Sequence, residues 1–436
     1  ERRRECEVVI MKHIFFALFF MVLAQSSNQQ LNKRWDNGRR AKLEYQMTKI
    51  DYDWPDETTR QDFISNKSYI AINNIISAIK VWRREIFITV PRWRPGVPAS
   101  LNRLVSLYGR GQSEPILRPF PSWKANIIGD CSALQYIQSM EIDPNTNYMW
   151  VIDAGRLDIF TENPRNLCPA KIVIYDLQTE REVDRYIFPN SVVSRSSNFL
   201  NDIVLDYVNG SVGYAYMTDT FDSKLIVFDY VKRVSYFFSH TSMLAEEEGR
   251  SLTVNGLTMR ISVTINGIAM ASDFQYVYFT SVGNFNTYQI PTSLLRNKSS
   301  TAQDLDASLR NIGRRKSQAA GLVYSSKDKM YFASLTTNAV LQWDAGMDAI
   351  FAGGFGYASL RSVRQIARND VKMVFVDTFG IDEYGDLWFT ATKSHEYILN
   401  VLDISGKNGT NFHIWRYNLQ PGEKSYLYNA NRRTRF

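Results

Sequence analysis

Polar side chains, in four pairs and one single position, stand just ahead of short apolar runs along this chain. They are Asp130 and Ser132, Asn201 and Asp202, Asn266, Ser317 and Gln318, and Asp377 and Thr378. Carboxylates, amides and hydroxyls gathered round one opening can anchor a small polar molecule, with aromatic side chains nearby to stack on it. The same residue types cap turns and bond their own backbone, so each position also has a purely structural reading. Asp202 with Asp206, or Asp377 with Asp382, would suit calcium if Asn carbonyls joined them, although turn capping is the commoner use of such acids. His13, His240, His395 and His413 lie in unrelated contexts, with no H-x-H, H-E-x-x-H or Cys/His cluster. There is no G-x-S-x-G elbow and no reactive-cysteine signature. Gly353-Gly354-Phe355-Gly356 follows no strand–helix pattern that would make a phosphate loop. No metal and no cofactor are expected.

The elements that must position these groups show as a rhythm. Apolar-aromatic runs recur at Ile86–Val90, Met149–Ile152, Tyr214–Met217, Val277–Thr280, Met330–Ala333 and Leu387–Thr390, with first residues 63, 65, 63, 53 and 57 apart. A period of this kind, each unit holding about four short strands, is the signature of a propeller blade. The expected fold is all-β: a six-bladed β-propeller of four-stranded antiparallel blades around a central tunnel. Residues 201–238 show one blade clearly: Asp202–Asp206, an Asn209-Gly210 turn, Gly213–Thr218, Lys224–Asp229 and Val234–Ser239. The first strand of each blade lies against the axis, which brings the polar strand starts to the tunnel mouth. Residues 45–80, 240–262 and 296–316 read as connections. Segments near 45–52 and 411–418 are expected to close the ring.

With 436 residues, 13% aromatic and 44% hydrophobic, the chain has ample material for such a core. Met11-Lys12-His13 precedes the apolar run Ile14–Ala24, which is too short to span a bilayer and has the layout of a secretory signal. Residues 1–24 are therefore read as upstream sequence plus signal peptide, and 25–436 as one secreted propeller domain with no membrane span. Export leaves Cys131 and Cys168, an even number in an oxidising compartment, so one disulfide is expected. Asn66, Asn209, Asn297 and Asn408 are candidate glycosylation sites. The net charge of +7 favours acidic surfaces or anionic ligands, but the charges are scattered and do not interleave with aromatics as nucleic-acid binders require. Oligomeric state is left open.

Several stretches are distinctive beyond their pattern. They are Phe87–Leu101 (FITVPRWRPGVPASL), Leu117–Trp123 (LRPFPSW), Val151–Arg156 (VIDAGR) and Cys168–Thr179 (CPAKIVIYDLQT), followed by Asn201–Asp206, Gly267–Met270, Tyr278–Phe279, Ile290–Leu294 and Trp388. In this order, across about residues 41–420, the chain resembles the yellow / major royal jelly protein family of arthropods. The resemblance implies a secreted six-bladed propeller with varied tasks: cuticle pigmentation and melanin-pathway roles, dopachrome isomerisation, biogenic-amine binding, or nutritive and signalling roles. Family members often carry two further cysteines where this chain reads Ile142–Asn145 and Gln342-Trp343, so one disulfide is absent here. Amine-binding members end the last blade in Trp-x-x-Ser-Asn-x-Phe; this chain has Trp388, Ala391, Thr392 and Ser394, with a hydroxyl in place of the amide and no ring. A small aromatic or amine metabolite is the expected partner, with Ser132, Asn201, Asp202, Asn266, Gln318, Asp377, Thr378 and Thr392 as candidate ligand contacts. An isomerase would need a general base, for which Asp202 and Asp377 are the candidates, with Asp153 behind them. A structural role acting through the surface is the third reading.

Overall fold

A computed structural model describes residues 41–106 and 114–429. Strand β1 (Lys42–Met47) comes first in the chain but belongs to the last blade. Blade one is β2 (Ile79–Trp82), β3 (Glu85–Thr89), β4 (Leu101–Val105) and β5 (Ile116–Pro119). Blade two is β6 (Ile137–Asp143), β7 (Tyr148–Asp153), β8 (Lys171–Asp176) and β9 (Arg181–Ile187). Blade three is β10 (Leu200–Val208), β11 (Ser211–Asp219), β12 (Lys224–Asp229) and β13 (Val234–Phe238). A hairpin of β14 (Ser251–Val254) and β15 (Leu257–Arg260) then leads to blade four: β16 (Ile265–Met270), β17 (Tyr276–Ser281), β18 (Asn286–Pro291) and β19 (Arg310–Arg314). Blade five is β20 (Leu322–Tyr324), β21 (Lys329–Ser334), β22 (Ala339–Asp344) and β23 (Val363–Arg368). Blade six is β24 (Val376–Ile381), β25 (Asp386–Thr392), β26 (Phe412–Asn418) and, outermost, β1. The fold is a six-bladed β-propeller.

All six recurring runs fall on the second strand of a blade. These strands are covered on both faces by neighbouring blades, so they read as continuous apolar runs rather than alternating ones. In β7, Met149 to Asp153 are all buried, whereas the fourth strand of the same blade, β9, exposes four charged side chains along its edge to varying degrees. Rings lock adjacent blades together. Tyr186 of blade two stacks on Phe228 of blade three at 4.2 Å, and Tyr278 of blade four stacks on Tyr324 of blade five at 5.6 Å. The β10–β11 turn is the expected Asn209-Gly210 pair, with φ of +54° and +83°, the geometry of a two-residue hairpin whose twist matches its strands.

Two of the segments read as connections contain blade strands. Arg310–Arg314 completes blade four, and Lys42–Met47 together with Ile79–Trp82 overlap the stretch 45–80. The third, 240–262, carries the β14–β15 hairpin. Ring closure runs through β1 and β26, which pair antiparallel from Lys42↔Arg416 to Met47↔Phe412. Arg416 reinforces the seam by binding Glu44 of β1 at 2.7 Å and Asp386 of β25 at 2.8 Å.

Cys131 and Cys168 form a disulfide with a Cα separation of 5.4 Å. Asn66, Asn209, Asn297 and Asn408 are all exposed. The expected signal peptide, residues 1–24, lies outside the described residues. No helix among the described residues is long and apolar enough to cross a membrane.

Candidate functional site

The first strands surround the axis, and four of them are irregular at the same place. Register shifts fall between Ile137 and Met140, Leu200 and Ile203, Ile265 and Ile268, and Val376 and Phe379. A bulge leaves residues unpaired and re-aims their side chains. Here the freed positions are Gln138 and Ser139, Asn201 and Asp202, Asn266 and Gly267, and Asp377 and Thr378. Together with Ser77 and Ala78 of blade one and Gly321 of blade five, all of these but Gly267 line one axial cavity. Hydroxyls of the second strands tie the bulges of neighbouring blades together. Thr89 Oγ1 accepts from Ala78 N and donates to Gln138 O, and Thr218 Oγ1 accepts from Asp202 N and donates to Asn266 O.

Asp202 and Asp377 stand on blades three and six, across the ring from each other. Asp202 accepts from Ser139 Oγ and its neighbour Ile203 N, both at 2.9 Å, and from Ile268 N at 3.4 Å. Among the described residues nothing donates to the Asp377 side chain. Burial is the main cause that raises both carboxyls. Asp202 is pushed up to about 6, with Lys80 and its hydrogen bonds opposing, and Asp377 to about 7, helped by the charge of Asp202. Both carboxyls therefore hold their protons to higher pH than an ordinary carboxylate does. Asn201 is 8% exposed, lines the same cavity and has no hydrogen-bond partner for its amide among the described residues.

The cavity is tight: its volume open to water is about 20 Å³, room for one or two waters. Below it the tunnel is lined by the Lys80–Glu141 ion pair, at 2.9 Å, and by Tyr426. Tyr426 comes from the tail after β26; its hydroxyl accepts from Leu205 N at 2.8 Å and donates to Leu205 O at 3.1 Å. The approach is thus from the strand-start face. Loops that leave the second strands or lead into the first strands emerge on that face, and they are aromatic. Trp93 packs on Phe160 and Tyr397, and Phe199 packs on Phe160 and Phe221. Gln138 couples this collar to the cavity, because its Oε1 accepts from both Trp93 Nε1 and Tyr136 OH while its amide donates to Ser77 Oγ. In the short helix Ser394–Ile398, His395 is 1% exposed, stacks on Phe375, and neither ring nitrogen has a partner among the described residues. Burial lowers its pKa to about 4, so it is neutral.

The structure therefore brings Asn201, Asp202, Asn266, Asp377 and Thr378 together, and places three other candidates elsewhere. Ser132 sits in an exposed turn beside the disulfide, bonded to Asp130. Gln318 is buried, and its amide donates to Ser251 O at the hairpin β14–β15. Thr392 is buried and shares a hydrogen bond with Ser394. Asp153, fully buried, accepts from Gln135 N, Tyr136 N and Gly155 N and pairs with Lys171. Asp206 is occupied by Arg296 and Tyr216, and Asp382 by Trp388 and two backbone amides, so neither joins its neighbour in a calcium site. Ser77, Gln138 and Ser139 escaped the sequence reading. Their signal was positional: each lies roughly ten residues ahead of the second-strand run, as Asn201 and Asp377 do.

A sequence profile described as major royal jelly protein matches residues 137–426. The chain belongs to the major royal jelly protein family. Protein yellow of Drosophila erecta and of Drosophila melanogaster are each 26% identical to it over 383 residues, covering 85% of this chain and 67% of theirs. Among solved structures, luciferin-regenerating enzyme superposes with a TM-score of 0.44 at 10% identity, over 80% of this chain and 93% of that one. Virginiamycin B lyase from Staphylococcus aureus gives 0.40 at 12%, over 80% and 96%. Within this yellow-type ring, the bulged first strands gather the polar residues.

Proposed function

We propose that this protein is a secreted yellow-type binding protein, of the pigmentation or biogenic-amine pathway, that holds a small aromatic amine or related metabolite at the strand-start mouth. The observation that carries the reading is the facing pair Asp202 and Asp377, with the unpartnered Asn201 amide beside them and an aromatic collar above. A protonated amine is the natural guest for two carboxyls that burial makes costly as anions, since its charge offsets theirs. The cavity has room for an ammonium group and little more, so the ligand's ring rests higher, against collar residues such as Phe160 and Phe221, which are partly exposed. Secretion accords with the Cys131–Cys168 disulfide. Calorimetric titration with serotonin, dopamine and octopamine tests the reading. Micromolar binding that weakens about tenfold or more in Asp377→Ala is expected, and absence of heat with all three amines would sink it.

Asp377 also favours a second reading, dopachrome isomerisation. A carboxyl titrating at about 7 is poised to take a proton from a substrate and return it. Dopachrome absorbance should then decay faster with the protein than in buffer, and no faster with Asp377→Asn. If neither binding nor isomerisation is found, the surface-acting role gains.

A further inference from the structure

Blade five carries an apolar face that nothing among the described residues covers. Between β22 and β23 the chain forms the helix Ala345–Ala352, capped by the Asp344 side chain, which accepts from Met347 N. Its inner side holds Ala345, Ala349 and Asp348, all buried. The Asp348 carboxylate accepts from Trp343 Nε1 at 2.7 Å and from the backbone N–H groups of Arg361 and Ser362. Met347, Ile350 and Phe351, spaced as one helical stripe, point outward at 47%, 81% and 80% exposure, and Tyr357 in the following loop is 72% exposed. Single exposed apolar residues are ordinary, but adjacent side chains this exposed mark an interaction surface.

Charge says what covers it. From 345 to 364 the chain has one acid, Asp348, and it is turned inward; the exposed charges are Arg361 and Arg364. Neither arginine forms an ion pair with an acid among the described residues. Two copies joined through this stripe would bring four arginines together, which disfavours self-pairing. Apolar prongs flanked by unpaired cations instead suit an interface that is apolar within and anionic at its rim.

We propose that the stripe Met347–Ile350–Phe351, with Tyr357, docks the protein onto an anionic lipid surface. Ile350 and Phe351 enter the boundary between headgroups and acyl chains, while Arg361 and Arg364 meet the lipid phosphates. The site lies on the outer half of blade five, apart from the axial cavity.

Vesicle sedimentation of the whole protein tests this, with phosphatidylcholine alone and with about 30% phosphatidylserine added. Wild-type protein should pellet with the anionic vesicles and not with the neutral ones, and raising the salt to about 0.5 M should weaken the binding. Ile350→Glu/Phe351→Glu and, separately, Arg361→Glu/Arg364→Glu should each weaken it about tenfold or more. Both variants alter exposed side chains, so unchanged thermal midpoints are expected and would confirm folding. Wild-type protein that stays in the supernatant with anionic vesicles would overturn the proposal, as would variants that bind like wild type. A dimer in light scattering that the Ile350→Glu/Phe351→Glu change abolishes, without vesicle binding, would assign the stripe to a second copy and overturn it too.

Discussion

At the scale of single residues, Asp202 and Asp377 are acids held where acids are costly. Their folded pKa values lie above the ordinary carboxylate range, so between about pH 4 and pH 7 the native state binds more protons than the unfolded chain. The sign follows directly: stability falls as pH rises through that window, and the cost is fully present above the folded values. Asp377→Asn should therefore stabilise the protein by roughly 1–2 kcal/mol at about pH 8 and by little near pH 4. Thermal melts across that range check it; a loss of stability at alkaline pH would mean that the carboxylate has partners the fold needs. Asp202, Asn201, Asn266, Asp377 and Thr378 were legible in the sequence because polar residues stand out ahead of apolar runs. Gln138 and Ser139 were not, because Asp130 and Ser132 offered a more conspicuous polar group a few residues early. The bulge that selects the cavity-lining positions is a property of strand pairing, absent from residue type.

At the scale of elements, legibility followed burial. Second strands announced themselves because both their faces are covered. Outer strands such as Arg310–Arg314 and Val363–Arg368 did not, since their edges meet solvent and their composition is polar. The strap Glu423–Tyr428 was equally silent, for its role lies in contacts far along the chain. Glu423 accepts from Tyr331 OH, and Tyr426 reaches Leu205. Tyr426→Ala should cost about 3–5 kcal/mol, the usual penalty for emptying a large buried site, read from denaturant unfolding. The disulfide ties the loop before β6 to the loop before β8. Replacing Cys131 and Cys168 by serine should cost about 2–4 kcal/mol in the same measurement.

At the scale of the whole molecule, the ring is closed by its two ends, and every contact between β1 and β26 spans most of the chain. Such closure is entropically expensive to reach and is held by the seam from Lys42 to Met47. Deleting residues 42–47 should leave β26 as an open edge and lower the thermal midpoint by about 10 °C or more, with aggregation on heating. A midpoint within a degree or two of wild type would show that five blades and three strands suffice. The closed ring is also what sets six strand starts facing one another, so that residues from distant parts of the sequence share a cavity.

That convergence is most directly examined by a crystal structure of the protein soaked with dopamine. The amine nitrogen is expected within hydrogen-bond distance of Asp377 or Asp202, with the catechol ring among the collar residues Trp93, Phe160 and Phe221. Ligand density elsewhere, such as the outer groove between Lys393 and His413, with the axial cavity holding only water, would contradict the account.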